Sequence, residues 1–377
     1  METTPPGVER NAAPIIHGGE AAALEAVLPG GQWGHGEVTD RFEAGLADLL
    51  AVPDVVAVNS GTSALHLALR AVGIGPGDDV VVPSLTFAAS VQAITFGGTR
   101  PRFADIDPDT LAVTPDTVLE ALTPDTKAVM PVLYGGRAVD LGPIRTTLAQ
   151  QGIQIIEDAA HAFGSRTPGG PMVGADPDTL TCFSFDPIKN LTTGQGGAII
   201  PRNPAEAEAL RSLRLFGIVQ PKDARAGLTS YGIQGPGLRF DLSQLNAAIG
   251  LVQLEHFTEV AGIRRHLWRT YQAELPGLDG VHLVDVDVTH TVPFNCVVRL
   301  DRRRDEVFQR LRAENIGVAV HYPPNHTQPA FAPWHRDLPV TERVAAEILG
   351  LPFHPAMTDD SVRFVVAALA RAVKETA

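Results

Sequence analysis

The chain has 377 residues, of which 44% are hydrophobic and 19% are charged, and its formal net charge is −13. This length allows a sizeable core and two domains, and the composition excludes a disordered chain. The negative charge argues against nucleic acid or an anionic membrane as a partner, although a small anionic substrate stays compatible because it responds to local charge.

The N-terminal segment and the cysteines indicate a cytoplasmic protein. Residues 1–14 are polar, lack the apolar core of a signal peptide and are expected to form a flexible arm. No run of 18 apolar residues exists in the sequence, so no membrane span is expected. Cys182 and Cys296 both lie in apolar runs, and we interpret them as buried free thiols that suit a reducing compartment.

Short apolar runs alternate with amphipathic segments over residues 17–215, which predicts a mainly parallel sheet with helices on both faces. The predicted strands are 55–58, 79–82, 101–106, 128–133, 153–156, 180–185 and 196–200. The predicted helices are 17–30, 38–50, 63–73, 88–96, 141–151 and 205–215. Asp105, Asp107 and Asp109 have the spacing of a calcium loop, but Thr110 replaces the required glycine, so we interpret them as a turn and expect no metal.

The turn after the first strand is a candidate anion site. Asn59-Ser60-Gly61-Thr62 leads directly into a helix, and Ser60 or Thr62 can cap that helix. Gly61 would let backbone N–H groups approach a phosphate at the helix N-terminus. An ordinary capped turn has the same pattern. A dinucleotide or P-loop site is not favoured, because neither glycine-rich fingerprint is present.

Two later strand ends carry a carboxylate and an amine. Asp158 ends the apolar run that starts at residue 153, and Lys189 follows the run 180–185. Ligands in open α/β sheets collect where strands end, so these two side chains can face one pocket. From spacing alone, a turn-forming aspartate and a solvated loop lysine remain the alternative.

Lys189 has the surroundings of a reactive amine. It is one of four lysines in the chain, and Pro187, Ile188 and Leu191 flank it. Such neighbours would partly desolvate the amine, which lowers its pKa and favours Schiff-base formation. A carboxylate across the pocket could keep the ring nitrogen of a cofactor protonated. Phe87, just past a strand end, could stack on a planar ring or simply belong to the core.

The second half of the chain predicts a smaller α+β domain. Residues 216–241 are interpreted as a loop, and a helix over 243–257 continues with breaks to residue 275. We therefore predict a large domain at 1–250 and a small C-terminal domain at 251–377. The elements predicted in the smaller domain are strands 292–300 and 318–322 and helices 305–314, 341–349 and 359–374.

Two segments, EDAAHAFG at 157–164 and FSFDPIKNLTTGQGGA at 183–198, resemble the pyridoxal-phosphate (PLP) sugar aminotransferases of the DegT/DnrJ/EryC1/StrS family. The resemblance extends from Gly36-Glu37-Val38 to residues 351–355. It implies the α/β fold of type I PLP aminotransferases, with a mostly parallel mixed sheet between helices and a smaller C-terminal α+β domain. It also implies a homodimer with active sites shared at the interface.

The resemblance implies roles for individual residues. Lys189 matches the lysine that holds the cofactor as a Schiff base and shuttles a proton. Asp158 matches the acid that faces the ring nitrogen, and His161 a position near the ring and its 3-hydroxyl. The other implied contacts are Ser60, Gly61, Thr62 and Ser184 at the cofactor phosphate, Phe87 on the ring, Arg239 at the partner subunit's phosphate and His326 near the substrate.

Three positions depart from the family pattern. Asparagine is often found where Arg239 stands, histidine or tyrosine where Asp186 stands, and glutamate where Gln195 stands. An arginine could bind the partner subunit's phosphate more strongly or point elsewhere. Asp186 lies three residues before Lys189, so its carboxylate could affect sugar recognition.

The implied reaction transfers an amino group from an amino acid, expected to be L-glutamate, to a nucleotide-linked keto-deoxysugar. The stretch NLTTGQGG is more similar to members that aminate carbon 4 of 4-keto-6-deoxy sugars, and the alternatives are a 3-keto sugar or a cyclitol ketone. A sugar dehydratase is less favoured, because such members tend to have histidine where Lys189 stands. A non-catalytic PLP-binding regulator would not need Lys189 and Asp158, and an α/β binding module would leave Lys189 unexplained.

Overall fold

The computed structural model describes residues 5–219 and 227–376. A seven-stranded sheet has the strand order β1-β7-β6-β5-β4-β2-β3. Its strands are β1 (Val56–Val58), β2 (Asp79–Pro83), β3 (Arg100–Ala104), β4 (Thr126–Val129), β5 (Gln154–Asp158), β6 (Leu180–Ser184) and β7 (Gly197–Ile200). Strand β7 is antiparallel to both neighbours, and the other six strands run in one direction. The predicted mostly parallel mixed sheet is confirmed.

Helices cover both faces of this sheet. They are α1 (Glu20–Val27), α2 (Glu37–Leu50), α3 (Gly61–Ala71), α4 (Ala88–Phe96), α5 (Pro115–Ala121), α6 (Gly142–Gln150) and α7 (Pro204–Leu213). Successive side chains of a strand point to opposite faces, so strand β2 contributes side chains to two hydrophobic cores, one on each face of the sheet. Val80 and Val82 pack with residues of α3 and α4, whereas Val81 packs with residues of α5 and α6.

A second, three-stranded antiparallel sheet lies in the C-terminal part, with the order β10-β9-β8. Its strands are β8 (Val281–Leu283), β9 (Cys296–Leu300) and β10 (Ile348–Leu351). The helices after residue 243 are α8 (Gln244–Glu255), α9 (Phe257–Glu274), α10 (Arg304–Ala313), α11 (Pro339–Glu347) and α12 (Asp359–Thr376). Trp268, Tyr271 and Leu369 belong to a core of their own beside this sheet. The domain boundary at residue 250 stays a prediction.

Three sequence expectations for strands and helices are wrong in detail. Residues 318–322 form a single bridge, between Ala319 and Gly350, because the following side chains line a pocket instead of a sheet. The predicted helix 341–349 ends at Glu347, and the apolar residues after it pair with β9 as a strand. Strand β4 stops before Pro131, which has no N–H for a ladder hydrogen bond.

The N-terminal arm is held in place over the part that the structure describes. Val8 is fully buried in the core of the C-terminal sheet. The backbone N–H of Gly317 donates to the oxygen of Val8 at 2.7 Å, and that of Phe353 to the oxygen of Asn11 at 2.8 Å. The expectation of a flexible arm is therefore wrong for these residues, and residues 1–4 lie outside the described ranges.

Two other sequence expectations concern thiols and membranes. Cys182 and Cys296 are buried and free, as predicted. Among the described helices, none combines the length and the apolar character needed to cross a bilayer. Of the predicted loop 216–241, residues 220–226 lie outside the described ranges.

Candidate active site

A cavity of about 600 Å³ opens where the parallel strands end. Thr86 and Phe87 reach it from the loop after β2, Asp158 from the end of β5 and Ser184 from the end of β6. The segment 320–322 from the C-terminal part closes another side. The size is that of a site for a small molecule, and its position at the carboxyl ends of the strands is typical of α/β enzymes.

Lys189 lies in the loop after β6 and lines this cavity. Its backbone N–H donates to the oxygen of Asp186 at 3.0 Å, which fixes the turn that presents the side chain. The amine Nζ lies 4.4 Å from the centre of the Phe294 ring. Burial lowers the pKa of Lys189 to about 8, although the carboxylates of Asp158 and Asp186 oppose that change.

Asp158 is buried at the floor of the cavity and is held by two hydrogen bonds. Ser90 Oγ donates to Oδ2 at 2.6 Å, and the backbone N–H of Ala160 donates to Oδ1 at 3.1 Å. Burial raises the pKa of Asp158, while the two hydrogen bonds and Lys189 lower it. Ser90 Oγ also lies 2.8 Å from Oγ1 of Thr86, so a short hydroxyl chain from α4 supports the carboxylate.

His161 is fixed between two aromatic residues. Its ring stacks on Phe294 with centres 3.9 Å apart, and Nε2 lies 3.0 Å from the hydroxyl of Tyr322. Burial, with the charge of Lys189 and His321, holds the pKa of His161 well below its usual range. Burial likewise raises the pKa of Tyr322. The pair is therefore a neutral imidazole bonded to a neutral phenol.

The N-terminus of α3 forms one wall of the cavity. Ser60 Oγ accepts the N–H of Ser63 at 3.1 Å, and Gly61 and Thr62 line the cavity with first-turn N–H groups that lack intrahelical partners. A Cβ atom on Gly61 would lie 2.7 Å from Cβ of Ser184, so glycine is what lets the helix approach β6 so closely. This is the arrangement in which a helix N-terminus binds a phosphate.

The structure brings most of the predicted site residues together, but it leaves two outside the cavity lining. Phe87 lines the cavity with its ring 5.6 Å from that of Tyr322, and it is 59% exposed. The Arg239 side chain is 66% exposed and pairs with Asp241 at 3.4 Å. His326 is buried, with Nδ1 2.6 Å from Ser84 Oγ.

His326 therefore does not reach the cavity in this chain. Its other ring nitrogen, Nε2, lies 3.3 Å from Glu342 Oε1, and its backbone N–H donates to Ser84 Oγ at 2.9 Å. Ser84 precedes the loop that carries Phe87. The resemblance implies that His326 lies near the substrate. In this structure its side chain instead contacts Ser84 and Glu342, outside the cavity lining, and supports the loop that forms the cavity wall.

Four residues of the site were not predicted from the sequence: Ser90, Phe294, His321 and Tyr322. Ser90 and Phe294 support Asp158, His161 and Lys189, and the other two line the cavity. The tyrosine lies in a segment with strand periodicity, which hid its position. Asp186 and Gln195, two of the three positions that depart from the family pattern, also line the cavity.

The charges of the cavity suit a neutral, polar substrate portion. Among the described lining residues the charged side chains are those of Asp158, Asp186 and Lys189, and burial lowers the pKa values of the two lining histidines. No arginine is found in that described lining.

Comparison with known proteins gives a consistent result. The sequence model of the DegT/DnrJ/EryC1/StrS aminotransferase family matches residues 14–370. The aminotransferase TlmJ from Streptoalloteichus hindustanus is 33% identical, with a TM-score of 0.89 over 97% of this chain and 99% of that one.

Two further solved structures are similar over most of their length. DesV from S. venezuelae, in complex with a ketimine intermediate, is 35% identical, with a TM-score of 0.86 over 94% of each chain. DesI, solved in the presence of its TDP-sugar product, is 30% identical, with a TM-score of 0.87 over 99% of this chain and 94% of that one.

Proposed function

Because this chain belongs to the DegT/DnrJ/EryC1/StrS aminotransferase family, we propose that it aminates a nucleotide-linked keto-deoxysugar with pyridoxal phosphate as its cofactor. The observation that carries the proposal is the cavity in which Lys189, Asp158 and the N-terminus of α3 meet. An amine, a buried carboxylate and a phosphate-binding helix end are the three groups that this cofactor requires.

The residues of the cavity fit the cofactor. The close approach of Gly61 to Ser184 leaves backbone N–H groups at the cavity wall, where Ser60, Thr62 and Ser184 would hold the phosphate. Asp158, supported by Ser90, would face the ring nitrogen. Phe87 would cover one face of the ring, and His161 would lie near its edge.

When bound, pyridoxal phosphate supplies an electron sink for the carbon that loses or gains a proton. Lys189 is the group that attaches the cofactor and then moves that proton. Its pKa of about 8 leaves a usable fraction of neutral amine near pH 7.5, as proton transfer requires. Asp158 would face the ring nitrogen; burial raises the pKa of this carboxyl group, and its hydrogen bonds and Lys189 oppose that rise.

We propose L-glutamate as the amino donor and carbon 4 of a 4-keto-6-deoxyhexose as the acceptor. The stretch from Asn190 to Gly197 supports carbon 4 through its similarity to members with that activity. The TDP-sugar product of DesI supports a nucleotide-linked substrate. The hydrogen-bonding side chains of the lining, among them Thr86, Ser184 and Gln195, support a polar sugar ring at the reacting centre.

The active form is proposed to be a cytoplasmic homodimer. Exposed large apolar side chains are concentrated in the described parts of one segment, residues 216–219 and 227–238, among them Phe216, Leu228, Tyr231, Ile233 and Leu238. An exposed apolar surface of this kind is typical of a protein interface. The Arg239 side chain, just after that segment, is 66% exposed and would leave its 3.4 Å contact with Asp241 to reach the phosphate of a partner subunit. Two buried free thiols support a reducing compartment.

Absorbance spectroscopy of the purified protein with added pyridoxal phosphate tests the function. We expect a visible band from the lysine-bound cofactor and its loss when L-glutamate is added. The aminated cofactor is then offered nucleotide 4-keto sugars, nucleotide 3-keto sugars and cyclitol ketones, and the position of the new amine is read by NMR. Binding without any amino transfer to these ketones would instead support a non-catalytic regulator.

A mixing experiment tests the shared active sites. Proteins carrying Lys189→Ala and Arg239→Ala are inactivated at different residues. If one site uses both subunits, mixed dimers regain one complete site and part of the activity. If mixtures stay as inactive as their parents while dimers form, the shared site is wrong.

A further inference from the structure

Arg264 is a buried cation without a carboxylate partner in the described part of the chain. It belongs to α9, its side chain is 1% exposed, and no ion pair joins it to a described acid. Its Nη1 donates to the backbone oxygens of Phe294 at 3.1 Å and Pro293 at 3.4 Å. Burial lowers its pKa to about 9, so the guanidinium remains charged at neutral pH.

A buried charge of this kind needs an explanation beyond hydrogen bonding. Burial of an unpaired charge is unfavourable, and two carbonyl oxygens can be satisfied by a neutral amide. The guanidinium also has no partner for Nε within the described residues. The described contacts of the charge are these two carbonyl oxygens and the Phe353 ring, whose centre lies 5.7 Å from Cζ, and none of them is an anion.

The segment that Arg264 binds also contacts the reactive lysine and its neighbour in the chain. The carbonyl groups it binds belong to Pro293 and Phe294, and the Phe294 ring faces Lys189 with Nζ 4.4 Å from its centre. Asn190, next to Lys189, donates to the oxygen of Val292 at 2.9 Å. The lysine loop and the arginine thus both contact the short segment 292–294.

We propose that Arg264 is a positioning residue whose guanidinium, anchored on the carbonyl oxygens of Pro293 and Phe294, favours the uncharged amine of Lys189. The inference rests on the proposed function, in which Lys189 must be a neutral amine to attach the cofactor and to accept a proton. A nearby cation raises the free energy of a second cation in a low-dielectric site.

Several groups around Lys189 act on its charge. They are the carboxylates of Asp158 and Asp186, the histidines His161 and His321, the phenol of Tyr322 and the guanidinium of Arg264. The carboxylates favour the ammonium form, whereas burial lowers the pKa values of the histidines and raises that of the phenol, so these three are neutral. The charge of Arg264 therefore offsets part of the increase in the Lys189 pKa that Asp158 and Asp186 cause. His354, whose pKa burial lowers, also faces Arg264.

Amine labelling against pH tests this role without cofactor or substrate. Full-length protein is freed of cofactor by dialysis against hydroxylamine and labelled with acetic anhydride from pH 6 to pH 10. Mass spectrometry of the peptide that contains Lys189 gives the pH midpoint of its labelling. The exposed lysines Lys127 and Lys374 serve as internal references.

The variants separate charge from hydrogen bonding. Arg264→Gln keeps a donor but loses the charge, and Arg264→Lys keeps the charge. Arg265→Gln is the matched control, because Arg265 donates to the oxygen of Thr291 in the same segment at 3.0 Å but is only half-buried. Where Arg264→Gln fails to fold, Arg264→Met replaces the buried charge by an apolar chain, a change that proteins often tolerate.

We expect the Lys189 midpoint to rise by about half a unit or more in the variants without the charge. It should stay unchanged in Arg264→Lys and Arg265→Gln. An unchanged midpoint in folded Arg264→Gln or Arg264→Met, or an equal rise in Arg265→Gln, would overturn the inference. Because labelling requires no catalysis, failure of the proposed aminotransfer would not alter this result.

Discussion

Ser90 Oγ donates a 2.6 Å hydrogen bond to Oδ2 of Asp158, from helix α4 to the end of strand β5. This bond lowers the pKa of a carboxyl group whose pKa burial raises. In Ser90→Ala we therefore expect a higher pKa for Asp158 and weaker binding of pyridoxal phosphate. A hydrogen bond to a charged group contributes about 1.5–3 kcal/mol, so affinity should fall by about tenfold or more.

Thr95→Ala is the control for this change, because Thr95 lies on the same helix and bonds to the backbone oxygen of Val91. Affinity is measured by titration of the cofactor absorbance at several pH values. Equal affinities in the serine variant and the parent protein would show that Ser90 does not support Asp158.

Replacement of Lys189 by alanine should remove transamination while the fold is kept. The amine attaches the cofactor and moves a proton, a role that contributes about 10²–10⁴-fold to a rate. Lys127→Ala, at an exposed lysine, should keep full activity. Borohydride reduction followed by peptide mass spectrometry should locate the cofactor on the Lys189 peptide alone. A cofactor found on another lysine would refute the assignment.

The rate at which cofactor-free protein captures pyridoxal phosphate should rise with pH through about 8. The neutral amine is the nucleophile, and it predominates above the lysine pKa of about 8. Below this value the neutral fraction falls about tenfold for each pH unit, so capture at pH 6 should be slow. Stopped-flow absorbance from pH 6 to 10 gives the profile. A midpoint near the usual lysine value of 10.5 would contradict the desolvated site.

Tyr322→Phe should disturb the ring of His161. The substitution removes the hydroxyl that lies 3.0 Å from Nε2 and leaves that nitrogen without its partner in a buried position. An unsatisfied buried polar atom costs about 1–3 kcal/mol, so we expect the free energy of unfolding to fall by about that amount. Urea denaturation measures the loss, and Tyr231→Phe, at an exposed tyrosine, should leave stability unchanged.

Gly61→Ala should weaken phosphate binding. The new Cβ would lie 2.7 Å from Cβ of Ser184, so α3 or β6 must move apart at the cavity wall. We expect cofactor affinity to fall by about tenfold or more, since phosphate N–H contacts are charge-assisted. Gly262→Ala, where an added Cβ meets no atom within 4 Å, should be neutral or stabilise the protein by up to about 1 kcal/mol. Cofactor affinity unchanged by Gly61→Ala would argue against this helix end as the phosphate site.

The sequence predicted the sheet and its helices well where an apolar run is bounded by glycine or proline. Strands β5 and β6 lie where the runs before Asp158 and after residue 180 placed them. The strand prediction failed where alternating apolar and polar side chains line a pocket and do not pair in a sheet. The segment that contains Tyr322 alternates like a strand, but its side chains turn to the cavity.

Partners distant in sequence explain the rest of what was missed. The Ser90 bond to Asp158 joins two residues 68 positions apart, and a serine within a helix gives no local signal of such a contact. His326 is a residue for which the resemblance, and not the local sequence, suggested a position. The resemblance implied a place near the substrate, yet its partners are Ser84 and Glu342, behind the wall.

The contact of the N-terminal segment with the C-terminal sheet has a consequence for the order of folding. The backbone oxygen of Asn11 accepts its hydrogen bond from Phe353, so this early segment must wait until residue 353 has been made. The seven-stranded sheet uses strands made before residue 201 and can assemble while the ribosome is still translating the chain. The core around Val8 includes residues of α12, so it closes only after that helix has been released, and a fragment that begins at residue 251 would lack a part of its own interior.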